Sequence, residues 1–341
     1  MRIVTFGEIM MRLNHEGYNC ILQADRLEIS YAGGEANVAV SLANYGQDVS
    51  FVTRLPENLL GESARNALRH FGVDTKNIIW GGNRLGLYFV EKGASQRASK
   101  VIYDRAGSAI ATAKRSDFDW DEIFKGAGWF HFTGITPALG GELPGICLDA
   151  LEYCHAHNIT VSCDINYRGK LWTREKARRI MTQLVAYVDI LIANEADASD
   201  VFGIIGKGSD VESGKLNKEG YISVAEQLAE CFGVDMVAVT LRTSLSATDN
   251  LWAGMLYDAR LKNACFSNEY IIHIVDRVGG GDSFAGALIY ALCEGKDTQA
   301  TIDFAVAASC LKHSIEHDFN LVSVNDVESL AAGNVTGRVQ R

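Results

Sequence analysis

Short apolar, β-rich runs alternate with longer stretches whose apolar residues recur at helical spacing, and the alternation continues along most of the chain. Ile3 to Phe6 reads as a strand that stops at Gly7. Asn37 to Tyr45 (NVAVSLANY) is apolar at helical spacing and stops at Gly46. Val49 to Val52 reads as a second strand, and Gly61 to Phe71 as a helix that stops at Gly72. A glycine just past a helix supplies the positive φ of a C-terminal cap. The same rhythm predicts strands over 129–132, 160–164, 189–193 and 236–240, with helices over 143–157, 175–184, 224–232, 283–293 and 301–313. Strands separated by helices are joined by crossovers, which gives a mostly parallel sheet covered on both faces. Ligands in such sheets sit beyond the carboxyl ends of the strands.

Two stretches, 14–31 and 85–105, break the rhythm. The second holds LGLYFVEK and KVIYDR, alternating β-rich runs joined by the polar GASQRAS, the pattern of a hairpin. Both stretches are expected to form a small β lid on one domain spanning 1–330, with 331–341 as a frayed tail. The run 203–220, rich in Gly, Ser, Lys and Glu, reads as a surface loop.

Composition removes several classes of function. The formal net charge of −10 comes without a basic stripe, which argues against a nucleic-acid partner. No window approaches the roughly 18 uninterrupted apolar residues of a membrane-spanning helix. The opening MRIVTFGEIMMRL carries Glu8 and lacks a sustained apolar run, unlike a signal peptide. The 8 cysteines include no CxxC pair, which argues against a zinc cage, and most sit in apolar strings, so those read as buried thiols of a reducing, cytoplasmic environment.

The chemistry concentrates in Asp276-Arg277-Val278-Gly279-Gly280-Gly281-Asp282-Ser283-Phe284, which leads into an apolar helix. Successive glycines let main-chain N–H groups converge, and the helix that follows adds its positive end. Together they suit a terminal phosphate. A carboxylate at that mouth would repel phosphate, so Asp282 reads as a base that takes a proton from an attacking hydroxyl. The plainer reading of an isolated GGGD is a turn with Asp as a helix cap. No Lys-Ser/Thr follows the glycines, so the loop is not a Walker A. A second string, Tyr31-Ala32-Gly33-Gly34-Glu35-Ala36-Asn37, opens the first helix. Its glycines permit close approach of a ligand, and Asn37 offers a donor and an acceptor. By itself it is also an ordinary helix entry.

With both strings in view, the chain resembles the ribokinase-like (PfkB) family of carbohydrate kinases. GGEANVAVSLANYG is similar to the family's N-terminal signature and DRVGGGDSFAGAL to its C-terminal one, in the expected order. The resemblance spans nearly the whole chain. It implies a three-layer α/β/α sandwich with a mostly parallel central sheet and a small β lid, ATP with Mg²⁺, and transfer of the γ-phosphoryl to a primary hydroxyl. It makes Asp282 the catalytic base and Gly279, Gly280 and Gly281 the anion hole. It also implies that Asn194 and Asp197 organise Mg²⁺ and phosphate, through water where Asp stands in place of the family's Glu. Alanine is usual at position 280, and glycine is expected to do the same work with a looser loop. Where the family often has a glycine-containing turn near the nucleotide, this chain has VTLRTS, so Arg242 and Thr243 become candidates for phosphate or ribose.

The acceptor is read from arginines. A buried carboxylate without a partner costs several kcal/mol, so a sugar acid calls for a cation where a neutral sugar does not. Arg168, in DINYRGKLW, and Arg105, in YDR, are the candidates, with Tyr88 and Tyr103 to fix orientation. The plainer readings are a capping residue and a solvated strand end. These strings resemble the branch of the family that phosphorylates 2-keto-3-deoxygluconate. That likeness implies sugar-acid contacts at Gly34, Tyr88, Tyr103, Arg105, Arg168 and Asp282, and an approach of Asn166 and Arg168 to the ATP phosphates. Fructokinase, ribokinase and nucleoside-kinase readings stay open, as does a non-catalytic sensor that keeps the fold. An exposed β lid that pairs with its own copy would make a homodimer.

Overall fold

The computed structural model describes residues 1–206 and 218–334. Its main sheet has nine strands. Asn263–Phe266, Asp249–Asp258, Met236–Ser244, Ile190–Asn194, Thr160–Asp164, Ala127–Thr133, Arg2–Phe6 and Asp48–Val52 follow one another across it, and Tyr270–His273 also pairs with Asp249–Asp258. Pairing is parallel from Met236–Ser244 through to Asp48–Val52. Beyond Met236–Ser244 the edge is antiparallel.

The central strands are apolar on both faces because both faces are covered. Along Ala127–Thr133, Trp129 packs into one core layer while Phe130 and Phe132 pack into the other. Leu191 joins the phenylalanines, whereas Ile190 and Ile192 join Trp129. The period of two in side-chain direction thus feeds two separate cores. Leu151, Met181 and Leu228, from the helices Leu143–Ala156, Arg174–Val185 and Lys218–Phe232, complete the first. Val38, Leu288 and Phe304, from Gly34–Asn44, Gly280–Cys293 and Thr298–Lys312, complete the second. This is the three-layer sandwich that the strand–helix rhythm implies.

A second sheet of four strands, in the order Glu28–Ala32, Met10–Asn14, Leu87–Glu91, Lys100–Asp104, carries the predicted hairpin as its last pair. It starts at Met10, ahead of the predicted 14–31 boundary. Met10, Ala32, Tyr88 and Val90 form a small apolar cluster against Val278, so this sheet rests on the loop that precedes the glycine turn.

Three differences from the sequence reading have physical causes. The antiparallel edge 249–273 was not read as strands, because its runs are interrupted by Gly254 and carry no intervening helix. The helices at 34 and 280 begin earlier than helical spacing suggests, since glycine is a poor helix former. Asp282 is therefore the third residue of its helix. In the loop read at 203–220, Lys218–Phe232 is already helical, while 207–217 lies outside the described residues; so does 335–341 of the tail.

Candidate active site

Two cavities meet at the carboxyl ends of the central strands. The larger, about 530 Å³, is lined by Asp164, Asn194, Asp197, Thr240, Arg242, Arg277 and the three glycines, among others. The smaller, about 70 Å³, lies under the four-stranded sheet and is lined by Gly33, Gly34, Asn37, Tyr88, Tyr103 and Arg105, among others. Four residues line both: Asn166, Arg168, Val278 and Asp282.

The glycine turn is shaped by what surrounds it. Gly279 has φ +82°, and a Cβ there would sit 2.1 Å from the carbonyl oxygen of Asp318. Only glycine meets both conditions. Gly280 is not slack: a Cβ on it would lie 2.6 Å from the ring of His313, so the expectation of a merely looser loop gives way to a packed contact. A Cβ on Gly281 would meet nothing within 4 Å, which leaves its face open to the larger cavity. The first amides of the helix Gly280–Cys293 have no carbonyl one turn earlier within it, and they join the helix dipole in favouring an anion there.

Asp282 is fixed by Asn37, whose Nδ2 donates to Asp282 Oδ2 at 2.6 Å. Asn37 Oδ1 in turn accepts the Gly33 N–H at 3.3 Å. Asp282 Oδ1 faces Gly34, where a Cβ would approach to 3.6 Å, and it has no hydrogen-bond partner among the described residues. Burial raises the Asp282 carboxyl to about 6, and the Asn37 bond restrains the rise. The result is a carboxylate with one oxygen anchored, one free, and a proton affinity close to neutral pH.

The neighbouring carboxyls are also strained electrostatically. Asp164 is raised well above the ordinary range, first by burial and then by the charges of Asp197 and Asp282. It accepts the main-chain N–H of Asn166 at 3.1 Å and Asn166 Nδ2 at 3.3 Å. These bonds hold Asn166 in a left-handed conformation, φ +41°, so that Asn166 and Arg168 turn back over the site. Asp197 is buried, and burial raises it too. Its oxygens accept the N–H groups of Tyr167 (3.0 Å) and Asn194 (3.1 Å), and Asn194 Oδ1 accepts the Asp197 N–H at 3.0 Å. The arrangement is a reciprocal helix cap that also ties down the Tyr167 segment.

The arginines divide into paired and unpaired. Arg105 is buried against Glu8, with Nε donating to Oε2 at 2.7 Å, and its guanidinium lies over Tyr103. The solvated strand end is therefore not what the fold builds, and part of its fork is already engaged. Arg168 is exposed, and its side chain makes no hydrogen bond or ion pair among the described residues. Tyr88 and Tyr103 are register partners with stacked rings 5.9 Å apart. Tyr88 donates its hydroxyl to Asp318 at 2.8 Å, so toward a ligand it can only accept. Arg242 lines the larger cavity, but Thr243 does not. The strand Met236–Ser244 runs on through VTLRTS, so alternate residues face opposite sides and Thr240 shares the cavity side with Arg242.

Several residues that build the site were not singled out from the sequence. Arg277 lies inside the nine-residue string yet was assigned no role; it lines the larger cavity and donates to the Ala247 carbonyl at 2.8 Å. Glu8 lies just past Gly7 at the carboxyl end of the first strand, where ligands gather in such sheets. Asp318 and Arg12 had no local signal. Arg12, fully buried, bridges Asp276 and Asp318, which are 42 residues apart, and only the fold brings them together.

A glycine turn at a helix start, a free carboxylate oxygen beside it and two adjoining cavities suit a phosphotransferase acting on a small molecule, built on an α/β sandwich. Comparison with known proteins places it more closely. The model of the pfkB family carbohydrate kinases matches residues 1–314. A 2-dehydro-3-deoxygalactonokinase of Haloferax volcanii is 31% identical over 336 residues, covering 98% of each chain. The crystal structure of a 2-dehydro-3-deoxygluconokinase from Thermotoga maritima superposes with a TM-score of 0.94 at 53% identity, covering 98% of each chain. A PfkB family carbohydrate kinase of Listeria grayi superposes with a TM-score of 0.89 at 34% identity, over 97% of this chain and 100% of that one. The chain belongs to the pfkB family of carbohydrate kinases.

Proposed function

We propose that this kinase transfers the γ-phosphoryl group of ATP to the terminal primary hydroxyl of 2-keto-3-deoxygluconate (2-dehydro-3-deoxygluconate). The observation that carries the reading is the pair Asp282 and Arg168 on the wall shared by both cavities. The polyphosphate lies in the larger cavity, where Arg242, Arg277 and the glycine turn supply positive charge. The sugar acid lies in the smaller one. Its hydroxyl reaches Asp282 Oδ1, which accepts the proton as the oxygen attacks phosphorus in line. The amides of the glycine turn hold the charge of the moving phosphoryl. Arg168, unpaired and adjoining both cavities, binds anionic oxygens there. A neutral sugar would offer that cation no carboxylate.

Among the described residues, no group of three or more His, Cys, Asp or Glu side chains is placed to hold a metal ion alone. Asp164 and Asp197, both raised first by burial, nonetheless line the nucleotide cavity. They suit a divalent cation that arrives with the phosphates and is met through water by Asn194, Asp197 and Asp164. Mg²⁺ would there screen the phosphate charge.

The test is substrate-dependent ADP release on a panel of 2-keto-3-deoxygluconate, its galactonate epimer, gluconate, fructose, ribose and adenosine. One charge-assisted contact is worth about 1.5–3 kcal/mol, so kcat/KM for the keto-acids should exceed that for fructose or ribose by at least about tenfold. Equal rates with a neutral sugar would refute the sugar-acid reading. A second test concerns the anion hole. Gly281→Ala should fold at least as well as the parent, because alanine favours the helix by about 0.5–1 kcal/mol and meets no neighbour. Its methyl group projects where the phosphoryl passes, so kcat should fall by about 10–10²-fold. An unchanged kcat would place the phosphoryl elsewhere.

A further inference from the structure

Lys312 ends the helix Thr298–Lys312 and is wholly buried, yet the reaction outlined above does not use it. Its Nζ donates to two main-chain carbonyls, those of Asp276 (3.3 Å) and Val278 (2.5 Å). Both belong to the loop that delivers the glycine turn. The same loop is laced to the helix end by the N–H groups of Val275 (2.8 Å) and Asp276 (3.3 Å), which donate to the His313 carbonyl. The segment 275–278 therefore wraps around one ammonium group. The carboxylates nearby are already engaged, Asp276 and Asp318 by Arg12 and Asp282 by Asn37.

A peptide unit is planar and trans, so its C=O and N–H point in opposite directions. Fixing the Val278 carbonyl on Nζ fixes the Gly279 N–H away from it, and both residues line the larger cavity. Main-chain carbonyls gathered on a single positive charge, as these two are, are also how proteins bind monovalent cations, and an ammonium group is close to K⁺ in size.

We propose that Lys312 is a positioning residue for phosphoryl transfer, a covalently attached cation that holds the 276–279 peptides in the orientation the anion hole needs and occupies the place a free monovalent cation would otherwise fill. It acts through the glycine turn and rests on that reading of the turn. Turnover of the wild-type enzyme is accordingly independent of K⁺.

The experiment has three arms, all at constant ionic strength. First, wild-type kcat is measured with potassium, ammonium or choline chloride. The three should agree within about twofold, and a strong requirement for K⁺ would overturn the proposal without any variant. Second, Lys312→Met follows the lysine side chain as far as Cε but has no atom at the Nζ position. Its kcat should fall by about 10²-fold while KM for ATP and for the sugar acid stays within about threefold. Third, ammonium or potassium chloride should restore kcat of Lys312→Met by about tenfold or more, whereas choline should not. A folded variant with unchanged kcat, or one that neither ion rescues, refutes the role. If Lys312→Met fails to fold, Lys312→Gln serves in its place. It keeps a polar head without the positive charge, and wild-type kcat in that variant would equally refute the role. Gly281→Ala separates the two claims. Loss of kcat there with normal kcat in Lys312→Met rejects only the lysine, whereas normal kcat in both rejects the turn.

Discussion

Asp282→Asn is expected to lower kcat by roughly 10²–10⁴-fold while leaving ATP affinity near its wild-type value. Asn has nearly the same shape and can still meet Asn37, but its amide cannot take a proton from the acceptor hydroxyl. ATP affinity is spared because the glycine turn, Arg242 and Arg277 remain. The fold is spared as well. The Asp282 carboxyl is raised to about 6, so its ionised form is disfavoured in the folded chain. A raised carboxyl contributes stability below its unfolded value and loses it as pH climbs through its folded one. Asn resembles the protonated form, and the variant should melt no lower than wild type at neutral pH. Single-turnover kinetics, nucleotide binding and a melting curve check these three statements. Near-normal turnover would remove Asp282 from the role of base.

Arg168→Ala is expected to have the second largest effect, and its contrast with Arg105→Ala is informative. Arg168 faces both cavities and makes no hydrogen bond or ion pair among the described residues, although its charge is felt by Asp164, Asp197 and Asp282. Its loss removes charge-assisted contacts worth about 1.5–3 kcal/mol, so kcat/KM for the sugar acid should fall by about 10–10²-fold with little change in Tm. A neutral sugar should suffer less. Arg105 is paired with buried Glu8, so Arg105→Ala leaves a buried carboxylate without its cation and should cost about 3–5 kcal/mol of stability beside any rise in KM. Steady-state kinetics with acid and neutral acceptors, together with thermal melts, separate the two. If Arg168→Ala affects both acceptors equally, that arginine serves ATP alone.

The sequence carried the architecture because the two-layer burial of the central strands writes itself as continuous apolar runs, and because glycines close the helices. It also carried the core of the candidate site. Asp282 and its glycines are contiguous, as are Gly33, Gly34 and Asn37, and each string is read within one turn. What stayed hidden was contact across the chain. Nothing in the sequence tells that Asn37 grips Asp282 from 245 residues away, or that Arg12 joins Asp276 to Asp318. Direction within a strand was hidden for another reason. Arg242 and Thr243 are adjacent candidates by type, and only the knowledge that a strand continues past Thr240 shows that one faces the cavity and the other does not. Position 280 illustrates a third limit: a glycine that local reasoning takes as slack is in fact demanded by the His313 ring.

The proton transfer assigned to Asp282 is tested most directly by the pH dependence of kcat/KM for the sugar acid, measured in wild-type and Asp282→Asn enzyme side by side. The base works only when ionised, so the wild-type value should drop about tenfold per pH unit below an apparent pKa of about 6. The residual activity of Asp282→Asn should lack that limb, and the comparison cancels any titration of ATP itself. An acid limb of the same position and slope in both enzymes would contradict the assignment.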